Sequence, residues 1–383
     1  MSSTKIDFLY LSEEDMIKAG VTDMKECVEA IEEMFRLMKL GDYRMAGANG
    51  NSHGAMVSFP AEPEFPNMPK DGPDRRFMAM PAYLGGKFDM AGMKWYGSNV
   101  ENKKKGLPRS ILMLVLNDKD TGAPLAFMSA NVLSAYRTGA VPGVGFKYFA
   151  PENAKTAGII GPGVMSKTAF DAMIAVRPTI TSLKIKGSSP TSKSAVGFET
   201  WVRAKFPQVT DIEIVDTDEE AVRDCDIVEI ATSSPTGDPS SYPFVDESWI
   251  KPGAVIACPA SARFDDDFII NRARSVADNI MLYEAWHEEY GLQGVPAYNT
   301  IPIPAVHVMD LIHEGKMGKE SLDDLGDVLI GKIPVRRNKD EIVIYSVGGM
   351  PTEDVAWGTI VYRNALKLGI GTKLNLWDTP ELA

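Results

Sequence analysis

The stretch AKTAGIIGPGVMSKTAFDAMIAV, residues 154–176, sets the reading of the whole chain. An apolar run from Ala157 to Ile160 leads into Gly161-Pro162-Gly163 and then into apolar residues at helical spacing, the pattern of a strand, a tight turn and a helix start. That is a phosphate-binding geometry. Gly161 allows the turn, and Gly163, without a Cβ, lets a pyrophosphate approach the backbone. The helix opening at Val164 and Met165 points unpaired N–H groups and its positive dipole end at the anion. Ser166 stands where the third glycine of the dinucleotide fingerprint usually falls, and Gly-Pro-Gly also serves as a plain surface turn, so the context decides.

A second strand, Ser182 to Lys186, follows where a dinucleotide-binding fold reads the adenosine ribose. It ends in Gly187-Ser188-Ser189-Pro190-Thr191-Ser192-Lys193, with no carboxylate to bind a 2′-hydroxyl or repel a 2′-phosphate. Small hydroxyls flanked by Lys186 and Lys193 suit a 2′-phosphate, which favours NADP(H) over NAD(H) as cofactor. Helical segments at about 192–206 and 218–224 then alternate with strands at 212–215, 227–232 and 254–258, and a last strand lies at 342–346. Such alternation predicts an α/β fold with a Rossmann-type, doubly wound parallel sheet, whose strand-end loops, Thr232-Ser233-Ser234 among them, face the cofactor. Residues 309–326 read as one polar helix, and 352–367 as a closing helix.

At 383 residues with 44% hydrophobic content the chain can fill two domain cores. A net charge of −12 argues against an extended nucleic-acid-binding face, and the basic run Lys103-Lys104-Lys105 reads as a solvated turn. Cys27, Cys225 and Cys258 lie far apart, which suits a reducing compartment and builds neither a disulfide framework nor a metal motif. With no apolar stretch long enough to span a bilayer, a cytoplasmic protein is expected. His53, His287, His307 and His313 fall into no ligand spacing, so no metal is expected.

The part before the glycine turn has a different texture. Ser12 and Asp15 form a capping box, a long amphipathic helix covers about Asp23 to Leu40, and 61–75 is a proline-rich excursion. Strand-like runs at 77–84 and 91–96 precede a hairpin of Ser110–Leu116 with 123–128. Two cations stand out. Lys94 sits between Met93 and Trp95, either solvated or turned inward as an anion ligand. Arg137 lies among small and apolar residues in a helical segment at 131–141, where burial without an anionic partner is costly.

Taken together, Lys94 in GMKWYGSN, then GLPRS, TGAPLAF, LSAYRTGAVPGVGFKYFA, GIIGPGVMS, DCDIVEIATSS, WIKPGAVI and SVGGMPTED resemble, in that order, the ornithine cyclodeaminase/mu-crystallin family. The resemblance implies an α+β substrate and dimerisation domain from residues 1–150 with 351–383, and a Rossmann domain at 151–350. It implies that Lys94 and Arg137 hold the α-carboxylate of a small amino or imino acid, with Ser110 near the substrate and Arg44 as a further cationic ligand. Gly161, Pro162, Gly163, Val164, Met165, Gly187, Ser188, Ser189, Lys193, Thr232 and Ser233 become the expected cofactor contacts, and the protein a homodimer. The cyclodeaminase branch places an aspartate base in the loop after the strand at 255–258. Here that loop reads Pro259-Ala260-Ser261-Ala262-Arg263-Phe264, with no carboxylate before Asp265.

The expected activity is therefore an NAD(P)-dependent oxidoreductase on a C–N bond, reducing an imine of an α-keto acid or running the reverse. Lys94 and Arg137 clamp the carboxylate; Lys94, if desolvated beside Arg137, would have a lowered pKa and serve as proton donor, with ordered water as the alternative donor. Two alternatives stand beside it: ornithine cyclodeamination to proline with bound NAD, which needs Asp265 or Asp266 as base, and a non-catalytic protein that binds NADPH and a small acid.

Overall fold

The computed structural model describes residues 4–233, 237–290 and 296–382; Ser234 lies outside them. The chain divides into two compact units, one made of Met1–Asp23, Leu40–Arg137 and Met350–Ala383, the other of Met24–Lys39 and Thr138–Gly349.

The first unit is built on one mixed sheet. Its strands are β1 (Ile6–Leu11), β2 (Tyr43–Met45), β3 (Ala55–Ser58), β4 (Arg76–Leu84), β5 (Met90–Ser98), β6 (Ser110–Asn117), β7 (Pro124–Ser129) and a C-terminal strand, Thr372–Trp377. Their order is C-terminal strand, β1, β7, β6, β5, β4, β2, with β3 also paired to β4. Neighbours run antiparallel except β1 and β7. Side chains alternate across a strand, and β4 and β5 bury every second one. The buried set, with Met78, Met80, Lys94 and Tyr96, faces the helix Pro351–Leu368, which packs on β4, β5 and β6. Two glycines permit the approach: a Cβ on Gly358 would lie 2.3 Å from Leu114, and one on Gly92 would lie 3.3 Å from Val355 of the helix. Fully buried Trp357 anchors this helix by donating to the Val21 carbonyl at 3.1 Å.

The second unit is a wholly parallel sheet of β8 (Thr156–Ile160), β9 (Ser182–Lys186), β10 (Asp211–Val215), β11 (Ile227–Ile230), β12 (Val255–Cys258), β13 (Arg274–Ala277), β14 (Leu322–Asp324) and β15 (Val343–Ser346). The order is β10-β9-β8-β11-β12-β15-β13-β14, so connectivity reverses at β8 and β11. Parallel strands covered on both faces read as continuous apolar runs, and β11, β12, β13 and β15 are buried at every residue. The expected Rossmann-type sheet is thus present.

Several expectations are corrected. The single helix at 309–326 is a helix Pro304–His313, then β14, then a helix Leu325–Leu329; Gly315, at φ +74°, stops the first because that conformation cannot continue a right-handed helix. β13 was hidden by Arg274, a charge in a buried strand, which the fold satisfies with Asp323 at 2.6 Å and Glu341 at 3.3 Å. The amphipathic helix Met24–Leu40, expected in the first unit, belongs to the second over residues 24–39. There Glu32 accepts from the Tyr148 hydroxyl at 2.7 Å, and Arg36 donates to Tyr148 at 2.8 Å and to the Leu329 carbonyl. The helix Asn131–Phe149 changes unit after Arg137, so residues 138–150 also leave the first unit. Among the described residues, no helix is long and apolar enough to cross a membrane.

Glu229, in the middle of β11, is fully buried and neither carboxylate oxygen has a hydrogen-bond partner. Burial therefore pushes its pKa well above the ordinary carboxylate value, favouring the neutral acid. A folded-state pKa above the unfolded one contributes stability that is complete below the unfolded value and is lost as pH rises through the folded value. Glu229→Gln, neutral at every pH, should melt at a higher temperature than the natural protein under alkaline conditions. The advantage should vanish as pH falls toward the usual carboxylate range near 4.5, and a pH-independent difference in thermal melts would contradict the assignment.

Candidate active site

Strand parity and the start of the C-terminal helix bring four charges together inside the first unit. Lys94, on the buried face of β5, is 2% exposed; Arg137, from the helix Asn131–Phe149, is 6% exposed; Glu353 and Asp354 are fully buried. Asp354 bridges the cations. One carboxylate oxygen lies 2.8 Å from Lys94 Nζ, an ion pair whose angle falls short of a hydrogen bond, and the other accepts from Arg137 Nε at 3.0 Å. Arg137 Nη1 donates to Glu353, whose other oxygen caps its helix by accepting from the Met350 N–H at 2.8 Å. Ser134 Oγ lies 3.4 Å from both Lys94 Nζ and Arg137 Nη2. Acids in a first helical turn are favoured by the helix dipole, so the backbone helps hold two carboxylates in an apolar place.

The electrostatics separate the two cations. Burial, and after it Arg137, lower the Lys94 pKa, Asp354 and Glu353 partly offset both, and the net value is about 8. For Arg137 burial also disfavours the charge, but Asp354 and Glu353 outweigh it, and the guanidinium stays charged. A permanent cation thus stands beside a lysine poised to exchange its proton near neutral pH.

The polar track continues along the same sheet face. Tyr96 lies under the Lys94 ammonium, 5.7 Å from ring centre, and under the Arg76 guanidinium at 6.0 Å. Asp74 pairs with Arg76 and Arg109 and accepts from Ser98, to which Ser110 Oγ donates at 2.9 Å. Ser110 is therefore on the Lys94 face, but Lys94 pairs across the sheet with Leu114 and Ser98 with Ser110, which sets the hydroxyl toward the strand end. Arg44 is not gathered. It pairs with Tyr83 on the opposite parity, is exposed, and donates to the carbonyls of Gly41 and Tyr43. Sequence reading missed Glu353, Asp354, Ser134 and Arg76. The two adjacent acids were visible, but as a helix cap.

In the second unit a groove of about 600 Å³ opens at the carboxyl ends of β8, β9 and β11, where strand order reverses. Gly161, Pro162, Gly163, Gly187, Ser188, Thr232 and Ser233 line it as expected. Gly161 has φ +89° and a Cβ there would meet the Ala231 carbonyl at 2.7 Å; Ser166 ties the turn by donating to the Gly161 carbonyl at 2.7 Å. Gly163 caps the helix Val164–Val176 without a side-chain hydrogen bond, and a Cβ on it would meet nothing nearer than 3.9 Å. Free N–H groups, a helix N-terminus and open space above the glycine fit a dinucleotide pyrophosphate. Val164 and Met165 form the first helical turn with side chains 69% and 37% exposed, while Ser189 and exposed Lys193 lie outside the groove lining. One premise is overturned: a carboxylate does enter the ribose end. Asp218, from the turn after β10, lines the groove with Lys186, Ser188 and Ser194. Burial raises its pKa, and Lys186 opposes the rise.

Fold and groove define a Rossmann-type α/β protein with a separate α+β unit that holds a buried cation pair. The chain belongs to the ornithine cyclodeaminase/mu-crystallin family, whose model matches residues 20–369. It is 26% identical over 374 residues, 97% of this chain and 99% of the other, to the N-((2S)-2-amino-2-carboxyethyl)-L-glutamate dehydrogenase of Staphylococcus aureus. An archaeal alanine dehydrogenase dimer with bound NAD superposes with a TM-score of 0.74 at 26% identity, covering 97% of this chain and 100% of that one. The Delta(1)-pyrroline-2-carboxylate reductase of Thermococcus litoralis, in complex with NADH and L-proline, also gives 0.74 at 26% identity, covering 95% and 99%.

Removing one partner of a buried ion pair leaves an uncompensated charge and costs about 3–5 kcal/mol. Asp354→Asn should lose that much in urea unfolding at neutral pH, and less at pH above the Lys94 value of about 8, where a neutral amine needs no counter-charge. A loss below about 1 kcal/mol, the range of exposed pairs, would contradict the burial of this network.

Proposed function

We propose that this chain is a nicotinamide-dependent oxidoreductase that makes or breaks the C–N bond beside the carboxylate of a small amino or imino acid. The observation that carries the reading is the charge balance of the buried site. Lys94 and Arg137 are matched by Glu353 and Asp354, so a lone carboxylate entering there would add a full negative charge in a low dielectric. A zwitterion adds none. Its carboxylate suits Lys94 and Arg137, and its protonated nitrogen suits Asp354, which selects an amino acid or protonated imine over a bare keto acid. The three similar proteins named above all act on, or bind, compounds of that kind by name.

Arg137, fixed by two carboxylates, orients the acid; Lys94 holds the proton that the nitrogen gains on reduction and takes it back on oxidation. The nicotinamide, when bound, supplies or accepts the hydride at carbon. Cyclodeamination has less support: exposed Asp265 sits at the start of the helix Asp266–Asn271, and Asp266 is engaged by His307 at 2.8 Å.

Lys186 and Asp218 bring one charge of each sign to the ribose end, which leaves no net attraction for a 2′-phosphate. This reverses the leaning toward NADP(H), and we infer NAD(H). We also infer a homodimer through the open sheet face, where Val57, Phe77 and Ile111 are each more than 40% exposed. The buried, unbridged cysteines support a cytoplasmic setting.

Reductive turnover of cyclic and acyclic α-imino acids with NADH should fall as pH rises past the Lys94 value of about 8. Lys94→Met should cut kcat by at least about a hundredfold while NADH affinity survives. The same assay with NADPH should give a lower kcat/KM, and light scattering twice the chain's mass. No turnover by any imino acid would leave the binding-only reading, and proline with ammonia from ornithine would establish the cyclodeaminase.

A further inference from the structure

The second unit contains a histidine cluster that the catalytic reading does not use. The helix Ile280–Tyr290 carries Glu284 three residues before His287, and the helix Pro304–His313 carries Asp310 three residues before His313. Residues three apart share a helix face, and these two helices pack on each other. Ligand atoms of His287, Asp310 and His313 come within 4.8 Å of one another.

The geometry is poor for a hydrogen-bonded triad and close to that of a metal site. His287 Nε2 lies 3.7 Å from Asp310 Oδ1, beyond hydrogen-bond reach. Two ligands of one tetrahedral zinc, each at about 2.0–2.2 Å, sit roughly 3.3–3.6 Å apart, so small side-chain rotations suffice. His287 Nε2 is buried without a hydrogen-bond partner, an arrangement that costs stability unless something coordinates the nitrogen. Asp310 is aimed by its outer contacts, as metal-bound carboxylates are: its oxygens accept from the backbone N–H groups of Ala297 at 3.1 Å and Tyr298 at 2.9 Å. Two acceptor positions remain on it. A cavity of about 240 Å³ adjoins the group, and Glu284, Glu288 and Lys319 line it, leaving room for water or Glu284 as a fourth ligand.

We propose that His287, Asp310 and His313 bind one divalent transition-metal ion of the zinc class, which ties the two helices together at a place distinct from the nucleotide groove. Linear spacing did not reveal it because the ligand set is split between two helices, His287 on one and Asp310 with His313 on the other.

The test uses the full-length, untagged protein, stripped with chelator and titrated with zinc chloride alone in a calorimeter. One equivalent should bind with a Kd at or below about 1 µM, and zinc should raise the melting temperature. His313→Ala, which removes an exposed side chain, should weaken binding at least tenfold and abolish the thermal gain, as should His287→Gln. His307→Ala, which touches the His307–Asp266 pair instead, should bind zinc as the natural protein does. Binding weaker than about 100 µM, or binding that survives both His313→Ala and His287→Gln, overturns the proposal; so does binding lost in His307→Ala alone. Should His287→Gln fail to fold, His313→Ala decides by itself.

Discussion

Burying Lys94, Arg137, Glu353 and Asp354 together constrains everything around them in the first unit. Each ion taken out of water costs several kcal/mol, and only close mutual pairing returns it. The cations must therefore arrive on one sheet face and one helix, and the anions on another helix end, at near-contact distance. Gly92 and Gly358 let that helix sit against the sheet, and Trp357 anchors it. Burial, with Arg137 alongside, lowers the Lys94 pKa to about 8 against the pull of Asp354 and Glu353, while the same two acids keep Arg137 charged, so structural necessity and proton chemistry come from one arrangement.

In the second unit the decisive constraint is steric. At Gly161 only a residue without a Cβ fits, because the chain is in the left-handed region and the Ala231 carbonyl stands in the way. Gly163 differs: nothing of the protein fills the space over it, and that space is what a bound phosphate requires. Asp218 and Lys186 then give the ribose end opposite charges.

How far this was legible in the chain follows from the range of each interaction. The strand, turn and helix at 156–176 are local, and the apolar runs of a parallel sheet are strong signals, so the α/β architecture was readable. Lys94 and Arg137 were marked by the cost of a charge in an apolar run. Their partners were not, since Glu353 and Asp354 are more than two hundred residues from Arg137 and also satisfy a helix start. Arg44 failed because which face a residue takes depends on register, and register with Tyr83 is set by tertiary pairing. Asp218 reaches the groove from the end of a different strand from the one expected to read the ribose. The strand at 274–277 hid behind Arg274, whose neutralising acids are distant in sequence.

Everything in the first unit turns on Lys94 being a desolvated amine held between Arg137 and Asp354. Titration of its side-chain nitrogen by NMR, with the resonance assigned from its absence in Lys94→Met, measures this directly. An inflection near pH 8 is expected; one near 10.5, the value of an ordinary solvated lysine, would show an amine that is not desolvated.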